Sequence, residues 1–122
     1  MNITAIDHVQ LAIPKDSEET ARAFYIRLGF VELPKPEALV SRGGCWFKSN
    51  EAILHLGIEE PFTAAKKAHP AFKVLDLASF KKQLAINEIA ITEDDSLPHV
   101  RRFFVSDPFG NRIEFLQDGD KY

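Results

Sequence analysis

Three stretches of this chain occur twice. His8-Val9-Gln10-Leu11-Ala12-Ile13 matches His69-Pro70-Ala71-Phe72-Lys73-Val74 at an offset of 61, Phe24 and Leu28 match Phe80 and Leu84 at 56, and Leu54-His55-Leu56 matches Ile113-Glu114-Phe115 at 59. Loops of unequal length account for the drift in offset. A chain of 122 residues is one domain, or two small half-domains sharing a core. The repeat therefore confines the fold to one element order used twice.

In the first copy a strand is expected from about Ile3 to Ile13, with Ile6, His8, Gln10 and Ala12 on one face and Val9, Leu11 and Ile13 on the other. Pro14 ends it, Asp16 or Ser17 is placed to cap a helix, and Asp16 with Glu19 has capping-box spacing. Ala21, Phe24, Tyr25 and Leu28 recur at the spacing of a helix lying on a sheet, and Gly29 closes it. Strands follow near Phe30 to Leu33, Leu39 to Lys48 and Ala52 to Glu59, with Ser49-Asn50-Glu51 as a hairpin turn. Pro61 and residues 62–68 read as a connector of one or two helical turns.

The second copy reads as a strand from His69 to Leu75, then a helix from Asp76 to about Ile86, capped by Asp76 and burying Leu77, Phe80 and Leu84. Strands from Ile89 to Thr92, Val100 to Ser106 and Arg112 to Gln117 complete it, and the residues after Asp118 read as a frayed polar tail. Each copy is thus βαβββ, giving an α+β fold of two modules, about 1–60 and 69–118, within one domain.

The last strand carries the feature that asks for chemistry. Ile113 and Phe115 point one way and Glu114 the other, and a carboxylate between two large apolar residues has to be solvated, paired or bound to a cation. The repeat sets Glu114 at the place of His55, and His69 at the place of His8. Imidazoles and a carboxylate are ordinary ligands of divalent transition metals, and two His with one carboxylate and open positions can hold Fe, Mn, Ni, Co or Zn. Gln10 shares the face of His8, and Arg42 and Arg102 are candidate anchors for an anionic substrate. Trp46, Phe47, Phe103 and Phe104 are cleft walls or core, and Asp107 and Asn111 fix the turn before the last strand.

Net charge is −3 with no long basic run, Arg101-Arg102 being local, which excludes a nucleic-acid footprint. No apolar run approaches the roughly 20 residues that span a bilayer, and the first residues lack the order of a signal peptide, so a cytoplasmic protein is expected. Cys45 is the only cysteine; it excludes an intrachain disulfide and suits a small hydrophobe in a strand.

The paired βαβββ modules, Asp7-His8-Val9-Gln10-Leu11-Ala12-Ile13, Phe24-Tyr25-Ile26-Arg27-Leu28-Gly29-Phe30 and Asp107-Pro108-Phe109-Gly110-Asn111-Arg112-Ile113-Glu114 resemble the vicinal oxygen chelate superfamily. That group includes glyoxalase I, fosfomycin-resistance thiol transferases, extradiol dioxygenases and bleomycin-binding proteins. The resemblance covers nearly the whole chain, and its most specific part is the closing Asp-Pro-x-Gly-Asn-x-x-Glu. It implies two βαβββ modules forming a curved mixed sheet around a cleft, in a homodimer with the cleft at or near the interface. By position it implies His8, His69 and Glu114 as ligands of a divalent metal. His55 stands where bacterial glyoxalase I carries a glutamate ligand, and either a fourth ligand or a second-sphere residue fits there. Glu114 is then the one carboxylate of that pair left to act as a base. The implied function is that of a metal-dependent enzyme of glyoxalase-like type, a lyase, isomerase or thiol transferase acting on a small oxygenated molecule by bidentate chelation. An Fe(II) extradiol-type dioxygenase and a non-catalytic, antibiotic-sequestering resistance protein are the alternatives. The loop before Val100 lacks the glycine- and serine-rich look of the fosfomycin enzymes.

Overall fold

The computed structural model describes residues 1–122, which form two units, Met1–Thr63 and Ala64–Tyr122. The first contains β1 (Val9–Ile13), α1 (Glu18–Leu28), β2 (Val31–Leu33), a 3-10 helix (Glu37–Arg42), β3 (Cys45–Ser49) and β4 (Ala52–Ile58). Its sheet has the order β1-β4-β3-β2, with β1 parallel to β4 and the other pairs antiparallel. The second contains β5 (Ala71–Val74), α2 (Leu77–Ile86), β6 (Thr92–Glu93), β7 (Arg102–Ser106) and β8 (Arg112–Gln117). Its order, β5-β8-β7-β6, is the same permutation with the same parallel pair. The repeat in sequence is thus a repeat in topology, realised as a separate four-stranded mixed sheet in each unit. No helix is long and apolar enough to cross a membrane.

Each helix packs on one face of its own sheet. In the first unit Ala21, Phe24, Tyr25 and Leu28 of α1 are buried together with Phe47, Leu54 and Leu56. Tyr25 stands 5.5 Å from Phe47, ring centre to ring centre. In the second, Leu77 and Leu84 of α2 are buried, and Phe80 meets Phe103 and Phe115 at 6.2 and 4.9 Å. Full burial of side chains of this size is worth about 1.5–3 kcal/mol each, so these apolar stripes orient the sheets. The opposite faces are left to the polar residues.

Several boundaries differ from those expected. β1 starts at Val9 rather than Ile3, because its register, Val9 to Leu54, puts residues 1–6 ahead of the first residue of β4, where no neighbour strand exists. Ile3 and Ile6 are accordingly exposed. Residues 39–42 lie in the 3-10 helix, and Gly43 (φ 73°) and Gly44 (φ 83°) break the chain before β3. Residues 62–68 form no helix. His69 and Pro70 precede β5; Pro70 has no N–H for the ladder, although its carbonyl accepts from Glu114 N at 3.0 Å. The tail beyond Asp118 is held, not frayed: Asp120 accepts from Arg101 N, Nε and Nη2 at 2.9, 3.0 and 2.9 Å.

The helix caps split. The Ser17 hydroxyl donates to Pro14 O instead of capping α1, and Asp16 sits at φ 59°, so no capping box forms. Asp76 does cap α2, accepting from Ser79 N at 3.0 Å. Asp76→Ala is expected to lower stability by about 1 kcal/mol, and Asp76→Gly by only a few tenths. Urea denaturation of the two variants checks this, since equal losses would mean that the side chain is not the cap.

Candidate functional site

The faces turned away from the helices carry the expected ligands two at a time. In the first unit His55 on β4 is the register partner of Gln10 on β1 and of Trp46 on β3, so all three side chains share a face. His8, just before β1, completes the row. The His55 ring lies between two others, 4.0 Å from His8 at 23° and 3.9 Å from Trp46 at 2°. Burial, and then the neighbouring His8, push the His55 imidazole below its usual pKa, which keeps it in the neutral form able to ligate a metal. Gln10 lies across Gly57, where a Cβ would stand 2.8 Å from Nε2. Glycine on β4 is therefore what makes room for that amide beside His55.

In the second unit Glu114 on β8, only 2% exposed, is the register partner of Phe104 on β7. His69 Nε2 stands 3.1 Å from Glu114 Oε1, and the His69 ring packs edge-on against Phe104 at 5.1 Å. Arg102 Nη1 is 3.5 Å from the same oxygen, and the Tyr122 hydroxyl bonds Oε2. Arg102 also donates to Asp94 Oδ2 at 3.0 Å, Ser96 Oγ at 3.2 Å and the Tyr122 hydroxyl at 2.8 Å, while its buried Nε has no partner. Burial and the bond to Glu114 push the Tyr122 phenol up, so its hydroxyl keeps its proton. Asp107 Oδ1 accepts from Phe109 N and Asn111 N at 2.9 and 2.8 Å, and Asn111 Nδ2 donates to Oδ2 at 2.9 Å. The turn role expected of both residues is what the structure shows.

The two strand-entry histidines share an arrangement that fits a metal. His8 Nδ1 lies 2.8 Å from Asp7 Oδ1, and His69 Nδ1 lies 3.0 Å from Lys67 O. Carboxylate and carbonyl oxygens accept, so in both residues Nδ1 is placed to donate, which leaves Nε2 as the ring nitrogen for a second partner. This is how metal-bound histidines are oriented by their second neighbours. At His69 that second partner is Glu114 Oε1, 3.1 Å away. An imidazole nitrogen and a carboxylate oxygen side by side are donors that would suit a divalent ion. No group of three His, Cys, Asp or Glu side chains placed to hold a metal forms within either unit. His8 and His55 are a pair within the first unit, and His69 and Glu114 a pair within the second.

The remaining candidates are less engaged. Arg42 is exposed at the end of the 3-10 helix. Cys45 is buried and its thiol is pushed up by that burial, which makes it an inert core residue. Two residues of the Glu114 face were not anticipated. Tyr122 was hidden because nothing in sequence marks a tail that folds back, and Arg112 because it reads as a solvated strand end. The Arg112 guanidinium lies 4.6 Å over the Phe104 ring. A cavity of about 200 Å³ opens there, between Thr92, Phe104, Ser106 and Arg112.

No protein-family model and no curated protein matches the chain. Among solved structures, a glyoxalase family protein from Bacillus anthracis is 52% identical, with 99% of this chain and 98% of that one covered and a TM-score of 0.93. Lactoylglutathione lyase from Agrobacterium tumefaciens is 21% identical over 97% and 96% of the two chains, with a TM-score of 0.69. TnmS3, an antibiotic binding protein from Streptomyces sp. CB03234, is 23% identical over 96% and 98%, with a TM-score of 0.71. The last two share the fold alone.

Proposed function

Because this chain belongs to the glyoxalase family, within the vicinal oxygen chelate superfamily, we propose that it is a metal-dependent enzyme acting on a small molecule with two neighbouring oxygens, as a lyase, isomerase or thiol transferase. The observation that carries the proposal is the matched state of His8 and His69. Each has Nδ1 placed to donate to an oxygen at equivalent places of the repeat, and His69 Nε2 stands 3.1 Å from Glu114 Oε1. The ligands proposed are His8, His55, His69 and Glu114, for a divalent ion of the Fe, Mn, Ni, Co or Zn group. The chemistry such an ion supplies is Lewis-acid polarisation of the substrate oxygens.

This chain's own residues do the rest. Glu114 is the only carboxylate of the two pairs and is the group that accepts a proton from a carbon beside a polarised oxygen. Gln10, held across Gly57 beside His55, offers an amide to a substrate oxygen. Arg112 over Phe104, with the hydroxyls of Thr92 and Ser106, offers a cationic wall with an aromatic floor. Arg102 is engaged by Asp94 and Tyr122 and acts on Glu114 rather than on substrate. Under this proposal two chains pair as a homodimer, as the family resemblance implies.

Metal-reconstituted protein is expected to hold about one divalent ion per chain and to sediment as a dimer at micromolar concentration. His8→Ala and His69→Ala are each expected to weaken binding by well over the roughly 10–100-fold typical of changes outside the ligand set. Elemental analysis and competition titration check this. Stoichiometric binding that survives in both variants puts the metal elsewhere.

A further inference from the structure

Tyr122 is bound to the Glu114 carboxylate from a distance of eight residues, after the chain turns back at Gly119 (φ 96°). Its hydroxyl lies between Arg102 Nη1, at 2.8 Å, and Glu114 Oε2. A guanidinium only donates, so the phenol oxygen takes the arginine N–H and its single hydrogen is left for the carboxylate. Arg102 is itself fixed by Asp94 at 3.0 Å, and its guanidinium carbon lies 5.4 Å from the Tyr122 ring centre and 5.6 Å from that of Phe104. The other carboxylate oxygen, Oε1, faces His69 Nε2 at 3.1 Å, with Arg102 Nη1 farther off at 3.5 Å.

A glutamate free to turn about its terminal bond offers a cation one oxygen or both. Here turning would break the bond from Tyr122 and uncouple the carboxylate from the part-buried Arg102 guanidinium behind it. We propose that Tyr122 is a positioning residue which, with Arg102, holds Oε2 so that Glu114 presents Oε1 alone beside His69. The inference rests on the metal-binding function proposed above. The same contact joins the tail, through Gly119, to the state of the candidate base.

Tyr122→Phe keeps the ring over Arg102 and removes only the hydroxyl. In metal-reconstituted protein the variant is expected to bind Co(II) roughly 10–100-fold more weakly than the parent. The infrared difference between loaded and metal-free protein is expected to move with it, from the wide carboxylate band separation of one-oxygen binding to the narrow separation of two-oxygen binding. Glu114→Gln identifies the band, and an unchanged unfolding midpoint for Tyr122→Phe shows that the loss is local. A variant whose affinity and carboxylate bands match the parent overturns the clamp. A parent that binds no metal overturns the metal-binding function instead. The clamp is then read in the metal-free protein, where the Glu114 band must shift in Tyr122→Phe, and an unshifted band overturns it.

Discussion

Gly44→Ala is expected to cost the fold about 2–5 kcal/mol, a large part of the roughly 5–15 kcal/mol that holds a domain of this kind together. Two effects add. Gly44 sits at φ 83°, where a residue with a Cβ is strained by about 1–2 kcal/mol, and that Cβ would lie 2.1 Å from the backbone carbonyl oxygen of Leu56. The obstacle is backbone in β4, not the end of a flexible side chain, so the strands have to part. Forced repacking of this sort costs about 1–3 kcal/mol. Gly119→Ala separates the terms, since Gly119 has φ 96° and nothing within 4 Å of the added Cβ. It is expected to lose only the backbone share.

Urea denaturation of both variants checks the difference, and coincident midpoints would show that β3 and β4 yield without resistance. The consequence reaches the site, because Trp46 begins two residues later and is stacked on His55. Trp46 is the only tryptophan of the chain, so a folded Gly44→Ala protein should report the displacement in its fluorescence.

Much of this architecture was legible in sequence because it rests on periodicity. The stripe Ala21, Phe24, Tyr25, Leu28 and the alternation around Glu114 each bury one face, and a slip in either would put apolar residues into water. What was not legible depends on partners distant in sequence. Whether residues 3–6 form a strand depends on where β4 begins, and whether Ser17 caps α1 depends on which way its hydroxyl turns, here to donate to Pro14 O. The same division runs through the site. Repeat spacing singled out His8, His55, His69 and Glu114, since equivalent places in two copies of one topology share a face. The ring stack of His8, His55 and Trp46 and the bond from Tyr122 come from side chains meeting in three dimensions, and no local pattern encodes them.

His55→Ala is expected to show which chemistry the site is built for. The His55 ring, its pKa lowered by burial, is held between His8 and Trp46, so it cannot swing aside without unstacking from both. If it is a ligand, removing it weakens metal affinity by well over the roughly 10–100-fold of a second-sphere change, and more than Tyr122→Phe does. Three imidazoles and one carboxylate then leave two places of an octahedron. That number suits two oxygens of one substrate and leaves none for dioxygen, so lyase or isomerase chemistry follows. If the loss stays within the second-sphere range and the metal's spectrum is unchanged, two imidazoles and one carboxylate leave three places, and oxidative or thiol-transfer chemistry gains.

Alanine also removes one partner of a ring stack, so loss of orientation at His8 has to be told apart from loss of a ligand. His55→Phe answers this, because it preserves a flat ring between His8 and Trp46 but offers no nitrogen. Affinity as low in His55→Phe as in His55→Ala assigns the metal bond to the imidazole, and recovery toward the parent in His55→Phe assigns His55 to holding His8 in place.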